Sequence, residues 1–173
     1  MGVRNYLVEG VSGTGKTSVC RELQRRGHHA VNGDTDLAYQ GDPVTGRPID
    51  SAVHGHHIWD VGRVHRLVAD HSTPVTFFCG GSRNHASFLD VFDEVFVLRV
   101  DLETLLRRLA QRGDDEWGGK PEERDLVVRL HRSGEDVPAV GIPIDATRPL
   151  AEVVDEILRL ADVPGLDTPR SVT

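Results

Sequence analysis

Gly10-Val11-Ser12-Gly13-Thr14-Gly15-Lys16-Thr17 is the stretch that decides how this chain is read. A glycine, four further residues, then Gly-Lys-Thr form a phosphate-cradling loop when a strand precedes them and a helix follows. Both flanks are met: Tyr6-Leu7-Val8 is short and apolar, and a helix is expected over about Lys16 to Arg26, closed by Gly27. Gly10, Gly13 and Gly15 let the backbone turn tightly and aim N–H groups inward, while the helix adds its positive N-terminus. Ser12, Thr14 and Ser18 belong to the same turn. The pattern assigns Lys16 to the β- and γ-phosphates of a nucleotide and the Thr17 hydroxyl to Mg²⁺.

Working outward, short apolar segments alternate with helical ones. The expected strands are Tyr6 to Val8, His29 to Val31, Val75 to Cys79, Val95 to Val100 and Gly141 to Ile144. Helices are expected over Leu102 to Gln111, with Leu102, Leu105, Leu106 and Leu109 on one face and Asp101 as N-cap, from Pro121 with Leu126, Val127 and Leu130, and from near Pro149. Such alternation predicts an α/β three-layer fold: a parallel sheet of about five strands with helices on both faces. The segment 33–63 is rich in Gly and Pro and reads as a loop-rich excursion with short helical pieces that binds the acceptor. Residues 112–120, polar and punctuated by Gly113, Gly118 and Gly119, read as a lid. One domain over 1–162 and a flexible tail over 163–173 complete the expected organisation.

A net charge of −7 argues against a general nucleic-acid or anionic-membrane binder, which needs a positive field. Cys20 and Cys79 lie in apolar segments without metal-ligand spacing, so they read as free thiols in a reducing compartment. Met1-Gly2-Val3-Arg4-Asn5 lacks the apolar core of a signal peptide, and no apolar run approaches the ~18 residues that span a bilayer. The expected location is the cytoplasm.

From the first strand to the last helix the chain resembles the nucleotide and small-metabolite kinases of the P-loop NTPase fold, the group of shikimate, gluconate and adenylate kinases. Asp34-Thr35-Asp36 resembles the Asp-x-Asp of shikimate kinases. The resemblance implies that Asp34 lies near Mg²⁺ and that Asp36 holds the acceptor hydroxyl as a general base. Cys79-Gly80-Gly81-Ser82-Arg83 is similar to the glycine turn with which these kinases approach their small substrate, with Ser82 in place of a third glycine. It implies that Gly80 and Gly81 bind the acceptor and that Arg83 pairs with an anionic group on it. Arg108 and Arg112 resemble the arginine pair before the lid of adenylate-type kinases, which assigns Arg108 to the adenine side and Arg112 to the transition state. Thr147 and Arg148 mark a loop that looks like the adenine-side loop of nucleotide kinases.

His54, His56 and His57 have no established metal spacing; one or two of them are expected to line the acceptor pocket with Trp59, Asp60 and Arg63, although Trp59 reads equally as a core anchor. The leading expectation is transfer of the γ-phosphoryl group of ATP, with Mg²⁺, to a hydroxyl of a small molecule. A nucleoside monophosphate kinase, with Arg47, Arg63, Arg66 and Arg83 around the acceptor phosphate, is the alternative. A nucleotide-dependent ATPase or switch module acting on a protein partner is the rival from another class. Phe77-Phe78-Cys79-Gly80 supplies no acid at a strand end, which disfavours that hydrolase, and no Asn-Lys-x-Asp motif points to guanine.

Overall fold

The strand that precedes the glycine-rich turn is the centre of the sheet. The computed structural model describes residues 3–163; the expected tail lies outside them beyond its first residue. In chain order the elements are β1 (Arg4–Glu9), α1 (Lys16–Arg25), β2 (His29–Asn32), α2 (Gly33–Asp36), β3 (Ala38–Gln40), β4 (His57–Trp59), α3 (Val61–Val68), β5 (Val75–Cys79), β6 (Glu94–Arg99), α4 (Leu102–Ala110), α5 (Pro121–Ser133), β7 (Ile142–Asp145) and α6 (Leu150–Leu160). Five strands form a parallel sheet in the order β2-β5-β1-β6-β7. The strand order reverses at β1, and open α/β sheets bind ligands outside the carboxyl end of the strands at such a point.

Side chains alternate across the sheet. Tyr6, Val8, Phe77, Cys79, Phe96 and Leu98 join the apolar stripes of α1, α4 and α6 in one core. Leu7, Phe78, Val95 and Val97 face the other way, onto Val64 of α3 together with Trp59, Phe88 and Phe92. Both faces are covered, which is why the strands read as continuous apolar runs rather than alternating ones. Helix ends follow their capping chemistry. Asp101 accepts from the Thr104 N–H at 2.6 Å, and Gly27, at φ 85°, donates to the Gln24 carbonyl at 2.9 Å as α1 ends. Leu106 departs from the expected apolar face of α4 and is exposed, while Leu105 and Leu109 are fully buried. Among the described residues no helix is long and apolar enough to cross a membrane.

The segment 33–63 is more ordered than its composition suggests. It holds the one-turn α2, the first turn of α3 and an antiparallel ribbon in which Ala38 pairs with Trp59 and Gln40 with His57. Three-residue strands are too short to show periodicity against a background of glycine and proline. Trp59 anchors the ribbon: it is wholly buried and stacks on Phe88 at 5.5 Å and 4°.

Gly33 owes its place to this anchor, because a Cβ there would lie 2.0 Å from Cζ2 of Trp59. Gly33→Ala should therefore cost about 1–3 kcal/mol in chemical denaturation, as overpacking does. Gly55→Ala, where an added Cβ meets nothing within 4 Å, should change stability by less than about 0.5 kcal/mol. Equal losses in the two variants would remove the packing explanation.

Candidate active site

The phosphate loop closes over the start of α1. Gly15 takes the N-cap position of α1 in a left-handed conformation at φ 104°, which a side chain would resist. Arg108 of α4 then fastens the loop to its surroundings. Its Nη1 donates to the Thr14 carbonyl at 3.1 Å and its Nη2 to the Ala146 carbonyl, beyond β7, at 2.7 Å. The Lys16 ammonium donates to the carbonyls of Gly10 and of Val11, the latter at 3.2 Å. Burial lowers its pKa, against the pull of Asp34 and Glu9.

Two cavities meet at this loop. The first, about 440 Å³, is walled by Ser12 through Ser18, so every expected loop residue from 12 to 18 faces it. Arg108, Arg148 and Ala146 close its far side. The second, about 500 Å³, opens toward the 33–63 excursion and is bounded by Gly10, Gly81, Arg83, His54 and His57. Ser12, Lys16, Asp34 and Arg112 line both. Arg112 donates to Ser12 Oγ at 2.9 Å and to the Trp117 carbonyl, tying the 112–120 segment to the phosphate loop.

Asp34 stands at the junction. Its Oδ1 accepts from the Gly81 N–H at 3.0 Å and lies 3.2 Å from His57 Nε2. Burial pushes its pKa up, but the His57 hydrogen bond, Lys16 and the Gly81 N–H outweigh burial and hold it below the ordinary carboxylate value. The group is therefore ionised at neutral pH. Thr17 and Asp34 face the same cavity, a hydroxyl and a carboxylate of the hard-oxygen kind that Mg²⁺ takes. Among the described residues no cluster of three or more metal-ligating side chains accompanies them, so the pair fits an ion that fills its shell from phosphate and water.

The far wall of the second cavity is a chain of contacts. Arg83 pairs with the carboxylate of Asp136 and donates Nη2 to its carbonyl at 2.8 Å. His54 Nε2 lies 2.9 Å from the other Asp136 oxygen, and the imidazole stacks on Trp117 at 5.1 Å and 8°. Burial, then Arg83, His57 and Lys16, push the His54 pKa down to about 4, so its neutral ring donates to Asp136.

Several expected site residues lie elsewhere. Asp36 is exposed and spends its carboxylate on α2 itself, accepting from the Asn32 N–H at 3.2 Å and from Thr35 Oγ1 at 3.0 Å; it faces neither cavity. Two residue steps on a one-turn helix rotate the side chain to the opposite side, which is why Asp34 reaches the junction and Asp36 does not. Trp59 is wholly buried in the core and lines neither cavity, the anchor role of its two expected ones. Gly80 serves the same core, since a Cβ there would meet Trp59 at 2.7 Å and Asp34 at 2.8 Å. Arg63 is exposed on α3 outside both cavities, and Thr147 caps its own turn by donating to Asp145, leaving Ala146 to face the nucleotide side. Asp136, in a polar turn, carries no sequence signal of its role.

Glu9 is a further group that the loop motif conceals. It ends the apolar β1, is 1% exposed, accepts from the Gly10 N–H at 3.2 Å, and leaves Oε2 buried without a partner. An acid closing a buried strand was its only signal. Burial raises its pKa from 4.5 to about 8, against Lys16 and Arg83. An acid with a higher pKa folded than unfolded holds its proton more tightly in the native state, so stability falls as pH rises from about 4.5 toward 8. Glu9→Gln should flatten that part of the pH dependence of Tm. Parallel curves for parent and variant between those limits would mean that Glu9 titrates normally.

A family model described as an AAA domain, AAA_18, matches residues 7–129. No curated protein matches the sequence. Among solved structures, an unliganded sugar kinase from Janibacter sp. HTCC2649 is 18% identical with a TM-score of 0.58, covering 96% of this chain and 99% of that one. A gluconokinase from Sinorhizobium meliloti 1021 is 22% identical at a TM-score of 0.54, covering 92% and 94%. A shikimate kinase from Bacteroides thetaiotaomicron is 12% identical at 0.56, covering 92% and 99%. At these identities the likeness is one of fold. With more than half of its length matched, the chain belongs to the AAA domain family, and it is built on the P-loop fold that these kinases share.

Proposed function

We propose that the chain transfers the γ-phosphoryl group of ATP to a hydroxyl of a small molecule. One observation carries this reading: Ser12, Lys16, Asp34 and Arg112 line both cavities, so a donor in one and an acceptor in the other would meet at the same four side chains. The solved structures of similar fold are described as sugar, gluconate and shikimate kinases, which agrees with a two-substrate site.

In this reading the loop N–H groups and Lys16 hold the β- and γ-phosphates, and Arg108 and Arg148 border the rest of the nucleotide. Thr17 would hold Mg²⁺, with the Asp34 charge beside the ion, and the metal would neutralise phosphate charge. Asp34, with Oδ1 engaged by Gly81 and His57, offers Oδ2 to the acceptor hydroxyl and takes its proton as the oxygen–phosphorus bond forms and the bond to the leaving diphosphate breaks. Arg112 follows the charge that develops on the moving group, and the 112–120 segment it holds acts as the lid that keeps water out.

Lys16→Ala should lower turnover at least ~10²-fold with the fold intact, as losses of single electrostatic donors do. An unchanged rate of ATP consumption would refute phosphoryl transfer at this loop. The carboxylates should separate cleanly. Asp34→Asn should depress product formation by roughly 10²-fold or more, whereas Asp36→Asn should run near the parent rate. Product assays in which Asp36→Asn is the slower variant would return the base to Asp36.

A further inference from the structure

Resting on the phosphotransferase reading, the charge pattern of the second cavity says what kind of acceptor it takes. Among the described residues, Arg83 is the one arginine or lysine that borders this cavity without also bordering the first, and it is already engaged. Arg83 is bound by both the carboxylate and the carbonyl of Asp136, with side chains only 13% and 7% exposed. His54 lies against the remaining oxygen of that carboxylate. Removing Arg83 to serve an incoming anion would strand a buried carboxylate, a strongly destabilising change.

The other two cations that border the cavity, Lys16 and Arg112, also border the nucleotide cavity and are required there. Arg47, Arg63 and Arg66 are exposed and border neither cavity. Once Arg83 and Asp136 cancel, Glu116 is the charge left that borders the second cavity without bordering the first, and it is negative, as is Asp34 at the junction. Gln40 and His57 add hydrogen-bonding groups, while Val53 and Trp117 add apolar surface. Such a lining favours hydroxyl and ammonium groups and opposes phosphate or carboxylate.

We propose that the acceptor carries no anionic group: it is a hydroxylated small molecule, uncharged or bearing an amine, whose hydroxyls are read by Asp34, Gln40 and His57, with the Arg83–Asp136 pair acting as a closed gate against anions. The proposal separates this site from one built for a hydroxy acid or a nucleoside monophosphate. It also makes Asp136 a specificity-determining residue.

The test is calorimetric titration of the full chain, saturated with Mg²⁺ and a non-hydrolysable ATP analogue, with tartrate and with inorganic phosphate. The parent should bind neither at millimolar concentration. Asp136→Asn removes the partner of Arg83 and should bind both anions at least about tenfold more tightly than the parent, a gain that Asp136→Asn combined with Arg83→Gln should lose. Binding of either anion by the parent would overturn the proposal, and its loss in Arg83→Gln would identify the guanidinium as an open anion receptor. The parent measurement decides even if Asp136→Asn fails to fold. Failure of the phosphotransferase reading is a different result, seen as absent binding of the ATP analogue before any anion is added.

Discussion

The carboxyl ends of β1 and β5 lie side by side, and the rest of the site depends on that contact. Val8 pairs with Cys79, and the Gly80 N–H donates to the Val8 carbonyl at 3.1 Å, so the phosphate loop and the Gly80-Gly81 turn leave the sheet as neighbours. Space there is scarce. A Cβ on Gly81 would lie 2.9 Å from Glu9, and one on Gly10 would lie 2.5 Å from Thr14 Oγ1. Glycine is required where two loops, a carboxyl and a tryptophan converge on one pit. What the backbone vacates, Asp34 and Lys16 enter.

Burying so many ionisable groups in that pit would be costly if they were isolated. Instead each is opposed. Asp34 stays ionised because Lys16, His57 and the Gly81 N–H outweigh its burial, and Arg83 is matched by Asp136. Glu9 is the exception, since its second oxygen finds no partner and its proton stays on far above the usual carboxylate range. The floor of the site is thus less charged than a count of its acids suggests. The field at the junction comes from the few groups with compensation on one side only.

Legibility in the sequence followed the length scale of the signal. The glycine-rich turn was readable because its eight residues carry the geometry themselves, and the five parallel strands were readable because each has a short apolar run, longest in the central strands that are covered on both faces. The second cavity is assembled from distant pieces. His54 and Asp136 meet across 82 positions, and Arg83 reaches the same carboxylate from the end of β5, contacts that no local pattern encodes. Asp34 and Asp36 were indistinguishable as text, since only the rotation of a one-turn helix decides which faces the junction. The place of Trp59 was open for a related reason: beside Gly33 and Gly80 it fills the space those glycines leave, a packing between residues far apart in the sequence.

The two tryptophans divide the molecule optically. Trp59 is sealed from solvent against Phe88, an apolar setting that favours blue-shifted emission. Trp117 is 37% exposed and lies flat against the His54 ring, where imidazole contact and solvent both bear on its excited state. The solvent-exposed Trp117 thus makes the contact between the 112–120 segment and His54 optically distinguishable from the buried core without an added label.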